Sequence, residues 1–93
     1  MLEKIIEMKL KKAVKKAGGM ALKFVSPGLD GVPDRLVLLP HGRLCFVELK
    51  ATGKKMRLLQ EKRKRQLEAL GFLVYCIDDV EQIGGMLDEI NKR

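Results

Sequence analysis

Apolar positions recur with helical period over residues 2–17, where Leu2, Ile5, Ile6, Leu10, Ala13, Val14 and Ala17 share one broad face and Gly18-Gly19 stops the run. Residues 20–25 read as a first strand. The next eight, 26–33, contain two prolines and two glycines and read as a shaped loop. Two apolar runs, 36–39 and 44–47, flank a short turn ending in Gly42, the signature of a β-hairpin. A helix is predicted from about 56 to 70, with Leu59, Arg63, Gln66, Leu67 and Leu70 near its docking side. Gly71 closes it, and 72–77 form a continuous apolar strand suited to a sheet covered on both faces. Asp78 or Asp79 is expected to cap a last helix with Val80, Ile83, Met86, Leu87 and Ile90 on one side, weakened by Gly84-Gly85. The order α-β-β-β-α-β-α predicts one α/β domain over 1–93, a four-stranded mixed sheet flanked by helices.

Charge at the outer ends of the hairpin changes this picture. Asp34 stands at the mouth of the first hairpin strand and Glu48 near the end of the second, where a purely structural strand has no need of either. Register decides whether they meet. A two-residue loop at 41–42 pairs Asp34 with Leu49, whereas a three-residue loop over 40–42, with Gly42 left-handed, pairs Asp34 with Glu48. The second register is the expected one. It places both carboxylates on one face, and alternation brings Lys50 to that same face.

Two carboxylates and an ammonium at a strand end suit Mg²⁺ or Mn²⁺, which bind through one or two carboxylates and keep waters that a phosphate can displace. A lysine beside such a cation can orient the attacking water and stabilise charge on phosphate. These parts fit phosphodiester hydrolysis. Gln60, in the first turn of the second helix, lies at the end nearest this edge, where its amide can reach a phosphate or a water. Asp30 is either a further carboxylate of the site or simply part of an Asp-Gly turn. Glu3 and Glu7 lie near the amino end of the first helix, where negative charge suits the helix dipole, and Glu7 can equally pair with Lys11.

Composition agrees with a polyanionic partner. Lys and Arg number 19 against 12 acidic residues, a net charge of +7 that marks a nucleic-acid binder or, more blandly, a soluble surface. Lys54, Lys55, Arg57, Lys62, Arg63, Lys64 and Arg65 concentrate in and before the second helix. Cys45 and Cys76 lie in apolar runs without metal-ligand spacing, as reduced core residues of a cytoplasmic protein do. No apolar run approaches the roughly 18 residues of a membrane span.

Pro33-Asp34 followed by Glu48-Leu49-Lys50 at the end of the next strand resembles the PD-(D/E)-x-K nuclease superfamily. The ordered set Gly18-Gly19, Lys23, Gly31-Val32-Pro33-Asp34, Phe46-Val47-Glu48-Leu49-Lys50, Gln60 and Gly71 resembles its VRR-NUC branch, in the short stand-alone form of phages and bacteria. Glu-x-Lys alone carries little, since Glu7-Met8-Lys9 is another instance. The resemblance implies a restriction-endonuclease-like fold and Mg²⁺- or Mn²⁺-dependent DNA cleavage in a bacterial or phage-infected cell. It implies Asp34 and Glu48 as metal ligands, Lys50 and Gln60 as catalytic, and a further glutamate from the first helix, for which Glu7 matches better than Glu3. Lys54, Lys55, Arg57, Lys62, Arg63 and Ser26 are the expected DNA contacts. Similarity to archaeal junction resolvases implies a homodimer acting on branched DNA such as Holliday junctions. The competing reading is a non-catalytic basic DNA-binding module, which would keep acidic residues away from its binding surface.

Overall fold

Side-chain parity along the central hairpin divides the molecule into two unlike halves. The computed structural model describes residues 1–93. The elements are α1 (Glu3–Lys16), β1 (Met20–Lys23), β2 (Arg35–Leu39), β3 (Arg43–Leu49), α2 (Leu58–Ala69), β4 (Val74–Ile77) and α3 (Gln82–Asn91), with a 3-10 turn at Pro40–Gly42 joining β2 to β3. Val37 and Leu39 of β2 and Cys45, Val47 and Leu49 of β3 point to one face. Ile6, Leu10 and Val14 of α1 and Ile83, Met86 and Ile90 of α3 close over them, making a core of 12 buried residues with Ile77 of β4. Burial of this one face supplies the main hydrophobic stabilisation of the fold.

The sheet runs in the order β1-β2-β3-β4. β1 to β3 are antiparallel, and β4 joins β3 in parallel, which requires the crossover that α2 provides. Across the hairpin Leu39 pairs with Arg43 and Arg35 with Val47, so the loop is the three-residue one, with both His41 (φ 67°) and Gly42 (φ 72°) left-handed. β1 extends beyond Lys23 by a hydrogen bond from Phe24 N–H to the Asp34 carbonyl at 2.7 Å.

Three expectations change. α2 buries only Gln60, and Leu59 and Leu70 of its expected docking side are exposed, because its dense charge leaves too narrow an apolar stripe. β4 is an edge strand in which only Val74 and Ile77 are buried. α3 begins at Gln82, and neither Asp78 nor Asp79 caps it. Instead Asp79 accepts the Glu81 N–H at 3.0 Å and Asp78 the Gly53 N–H at 3.2 Å, so these carboxylates satisfy the turn and the loop before α2.

Candidate active site

The hairpin register carries the site. Extending the Arg35–Val47 pair outward by one residue sets Asp34 opposite Glu48, and Asp34 Oδ2 accepts the Leu49 N–H at 3.2 Å. Parity turns Glu48 and Lys50 away from the core, toward the α2 side. Glu48 is nevertheless 2% exposed. Its Oε2 accepts from Gln60 Nε2 at 2.9 Å and pairs with Lys50 Nζ at 3.3 Å. Its Oε1 is buried with no hydrogen-bond partner.

Burial pushes the Glu48 carboxyl up to about 7, with the facing charge of Asp34 adding to the rise and Lys50 opposing it. A carboxylate in that position calls for more positive charge than the chain provides. The orphaned oxygen, the like-charged neighbour and the hard-oxygen chemistry together fit a divalent cation held by Asp34 and Glu48. Cys76, the β4 residue paired with Glu48, has its thiol pushed up by burial and by the nearby Glu48 charge, so it stays protonated beside the site.

Gln60 reaches Glu48 because of how α2 begins. Arg57 is the residue before its first turn, and its N–H donates to Gln60 Oε1 at 2.8 Å. One amide thus caps the helix through its oxygen and holds the carboxylate through its nitrogen. Across α2, Arg63 donates to the Asp30 carbonyl at 2.7 Å and to Gln66 Oε1 at 3.0 Å, tying the helix to the loop before Asp34. At Gly31 in that loop a Cβ would lie 2.7 Å from Leu59 Cγ, so the close approach requires glycine there.

Glu7 stands apart from this cluster. It lies on α1, over the opposite face of the sheet, and its Oε2 pairs with Arg35 at 3.0 Å. No group of three Asp, Glu, His or Cys side chains is placed to hold one ion, and Glu7 is paired with Arg35 rather than with Asp34 or Glu48. The reason is Arg35, whose guanidinium is buried at a core-facing position and requires a counter-charge. The sequence reading does not include Arg35; the signal that could have found it is a charged residue with the parity of Val37 and Leu39. Of the expected DNA contacts, Lys54, Lys55, Arg57 and Lys62 are exposed, Arg63 is held as described, and Ser26 is half-buried at the loop entrance.

No family model matches the chain. It is 46% identical, over 89 residues, to "Putative nuclease p44" of Acyrthosiphon pisum secondary endosymbiont phage 1, spanning 96% of this chain and 95% of that protein. Among solved structures, one described as a VRR_NUC domain matches with a TM-score of 0.86 over 95% of this chain and 97% of that one, at 24% identity. Both likenesses run nearly end to end, and the fold agrees with the motif order read from the residues. This chain therefore belongs to the family of that phage protein, named a putative nuclease, and has the fold of a VRR_NUC domain.

Proposed function

We propose that this nuclease is a Mg²⁺- or Mn²⁺-dependent endodeoxyribonuclease that hydrolyses phosphodiester bonds of branched DNA, such as Holliday junctions, as a cytoplasmic homodimer. The observation that carries metal dependence is Glu48: buried, facing a second carboxylate, and with one oxygen that no protein donor reaches. Asp34 and Glu48 would hold the cation, which when bound supplies charge to the phosphate and acidifies water. Lys50, anchored on Glu48 at 3.3 Å, presents its ammonium to charge accumulating on the phosphate oxygens. Gln60 fixes the orientation of Glu48, and Glu7 acts through Arg35 as a positioning residue for the sheet end. Exposed Lys54, Lys55, Arg57 and Lys62 draw the DNA backbone toward this edge.

Preference for a branch follows from having two such sites in one dimer, each addressing one strand. The test offers labelled four-way junction, duplex and single-stranded DNA with Mg²⁺, Mn²⁺ or EDTA. Symmetric nicking of the junction in Mg²⁺ or Mn²⁺ and none in EDTA is expected. Asp34→Ala should reduce cleavage at least a thousandfold while DNA binding persists. Cleavage in EDTA, or full activity of Asp34→Ala, would overturn the metal assignment; equal cleavage of all three DNAs would overturn the branch preference.

A further inference from the structure

The end of the sheet opposite Asp34 and Glu48 carries a cleft of about 330 Å³, where the β2–β3 turn, the turn between α2 and β4 and the carboxyl end of α3 meet. Phe72, Leu73 and Ile90 supply apolar walls, and His41, Arg43 and Arg93 stand around it. No carboxylate lines the cleft, and none of these three side chains pairs with an acid anywhere in the chain. Glu89, one turn before Arg93, is taken by the Tyr75 hydroxyl. Arg93 is anchored by donating to the Gly71 carbonyl at 3.4 Å, and Arg43 is half-buried at the start of β3, so two guanidiniums are held at one cavity. His41 completes the set from the turn. Its φ of 67° is the only left-handed value of a non-glycine residue in the chain, a conformation that residues with a side chain seldom take.

We infer that this cleft is a nucleotide-binding site, which holds a phosphate on Arg43, Arg93 and His41 and the attached base against Phe72. Like charges around an apolar cavity reinforce one another's field and draw an anion. Guanidiniums match phosphate oxygens with paired N–H donors, and the imidazole adds a further donor. Phe72, 39% exposed, offers a ring on which a base of any identity can stack. Size limits the ligand: about 330 Å³ is at the lower end of the roughly 300–1,000 Å³ of small-molecule sites, which suits a single nucleotide unit. That unit is either an unpaired nucleotide of a DNA strand or a free nucleoside monophosphate. The first source rests on the DNA cleavage proposed above. Arg43 and Glu48 lie five residues apart on β3, about 17 Å, so a strand of a few nucleotides reaches from the cation edge to the cleft.

The test titrates the isotope-labelled full chain in EDTA with dAMP, deoxyadenosine, inorganic phosphate and a single-stranded deoxyadenosine trinucleotide, and follows backbone amide shifts. With dAMP the amides of Arg43, Leu44, Phe72, Leu73 and Arg93 should shift to saturation while those of Glu48, Leu49 and Lys50 stay in place. Deoxyadenosine and phosphate should each bind at least tenfold more weakly than dAMP. The variant His41→Asn/Arg93→Ala, which retains a residue type that accepts the left-handed turn, should lose at least tenfold in dAMP affinity with the circular dichroism of the parent; the wild-type shifts are a reading that needs no variant. A trinucleotide that binds at least tenfold more tightly than dAMP, with a junction-binding salt slope flatter in the variant by about one, assigns the site to the DNA strand. Binding of dAMP without the trinucleotide assigns it to a free nucleotide. Absence of these shifts with both ligands up to 10 mM, shifts confined to the Lys50–Arg57 edge, or an unchanged dAMP affinity of the folded variant would overturn the inference. Since every titration is made in EDTA, the two readings fail separately: shifts in a protein that never cleaves remove the catalytic proposal alone, and cleavage without shifts removes this site alone.

Discussion

Gln60 donates to Glu48 Oε2 at 2.9 Å while its own oxygen accepts the Arg57 N–H at 2.8 Å, so the start of α2 and the buried carboxylate are held by a single side chain. Gln60→Glu keeps an acceptor for the helix cap but sets a second negative charge against Glu48. It should destabilise the metal-free protein by about 1–3 kcal/mol. Gln60→Ala should be destabilised by a similar amount, through a lost cap and a less satisfied carboxylate. Urea unfolding in EDTA measures both, and added Mg²⁺ should recover more stability for Gln60→Glu than for Gln60→Ala. Equal recovery would separate Gln60 from the metal edge.

Stability should depend on pH through Glu48. Its carboxyl sits near 7 in the folded chain against an ordinary value of 4.5, so between these values the folded state binds more protons than the unfolded state. Stability in EDTA should therefore fall as pH rises from about 4.5 to 7 and level off above, by an amount on the order of 2–3 kcal/mol. Glu48→Gln removes this contribution. Subtracting its unfolding free energy from that of the wild type at each pH isolates the effect, and a difference that is flat with pH would contradict it.

Glu7→Ala leaves the buried Arg35 guanidinium without its partner. Glu7 is itself 37% exposed, and water screening reduces the loss from that of a fully buried pair to roughly 1–3 kcal/mol. Glu7→Gln retains an acceptor and should lose less. At temperatures where it is folded, its single-turnover cleavage should stay within about tenfold of wild type, set against the collapse expected for Asp34→Ala. If the two variants are equally inactive, Glu7 is a ligand after all.

Neutralising Lys54 and Lys55 tests the phosphate contacts. Both are exposed in the segment before α2, and each phosphate contact contributes about 0.9 to the slope of log affinity against log salt. The double alanine variant should bind DNA more weakly, with a slope flatter by about two, and cleave at the wild-type rate once saturated. An unchanged slope would remove both residues from the interface.

Much of the site was already legible. Strand alternation puts Glu48 and Lys50 on one face, and of the two registers that the turn allows the structure has the expected one, with Asp34 set against Glu48. The burial of Gln60 was less so, because a polar residue in the first turn of a charged helix carries no mark of the carboxylate beneath it. Glu7 shows the limit from the other side. An acidic residue near a helix amino end reads alike whether it meets solvent, a cation or a guanidinium.

The sequence by itself determined the order of elements, the amphipathic faces of α1 and α3 and the common face of Glu48 and Lys50, and it narrowed the hairpin to two registers, since each follows from periodicity over a few neighbouring residues. Only the tertiary structure decided that Arg35 takes Glu7, that Gln60 bridges Arg57 and Glu48, and that α2 leaves half of one sheet face open. These outcomes depend on how whole layers pack. Pairing between distant side chains is settled by which buried charge most needs a partner and by how much apolar surface one narrow helix can cover, and neither is a property of a local window.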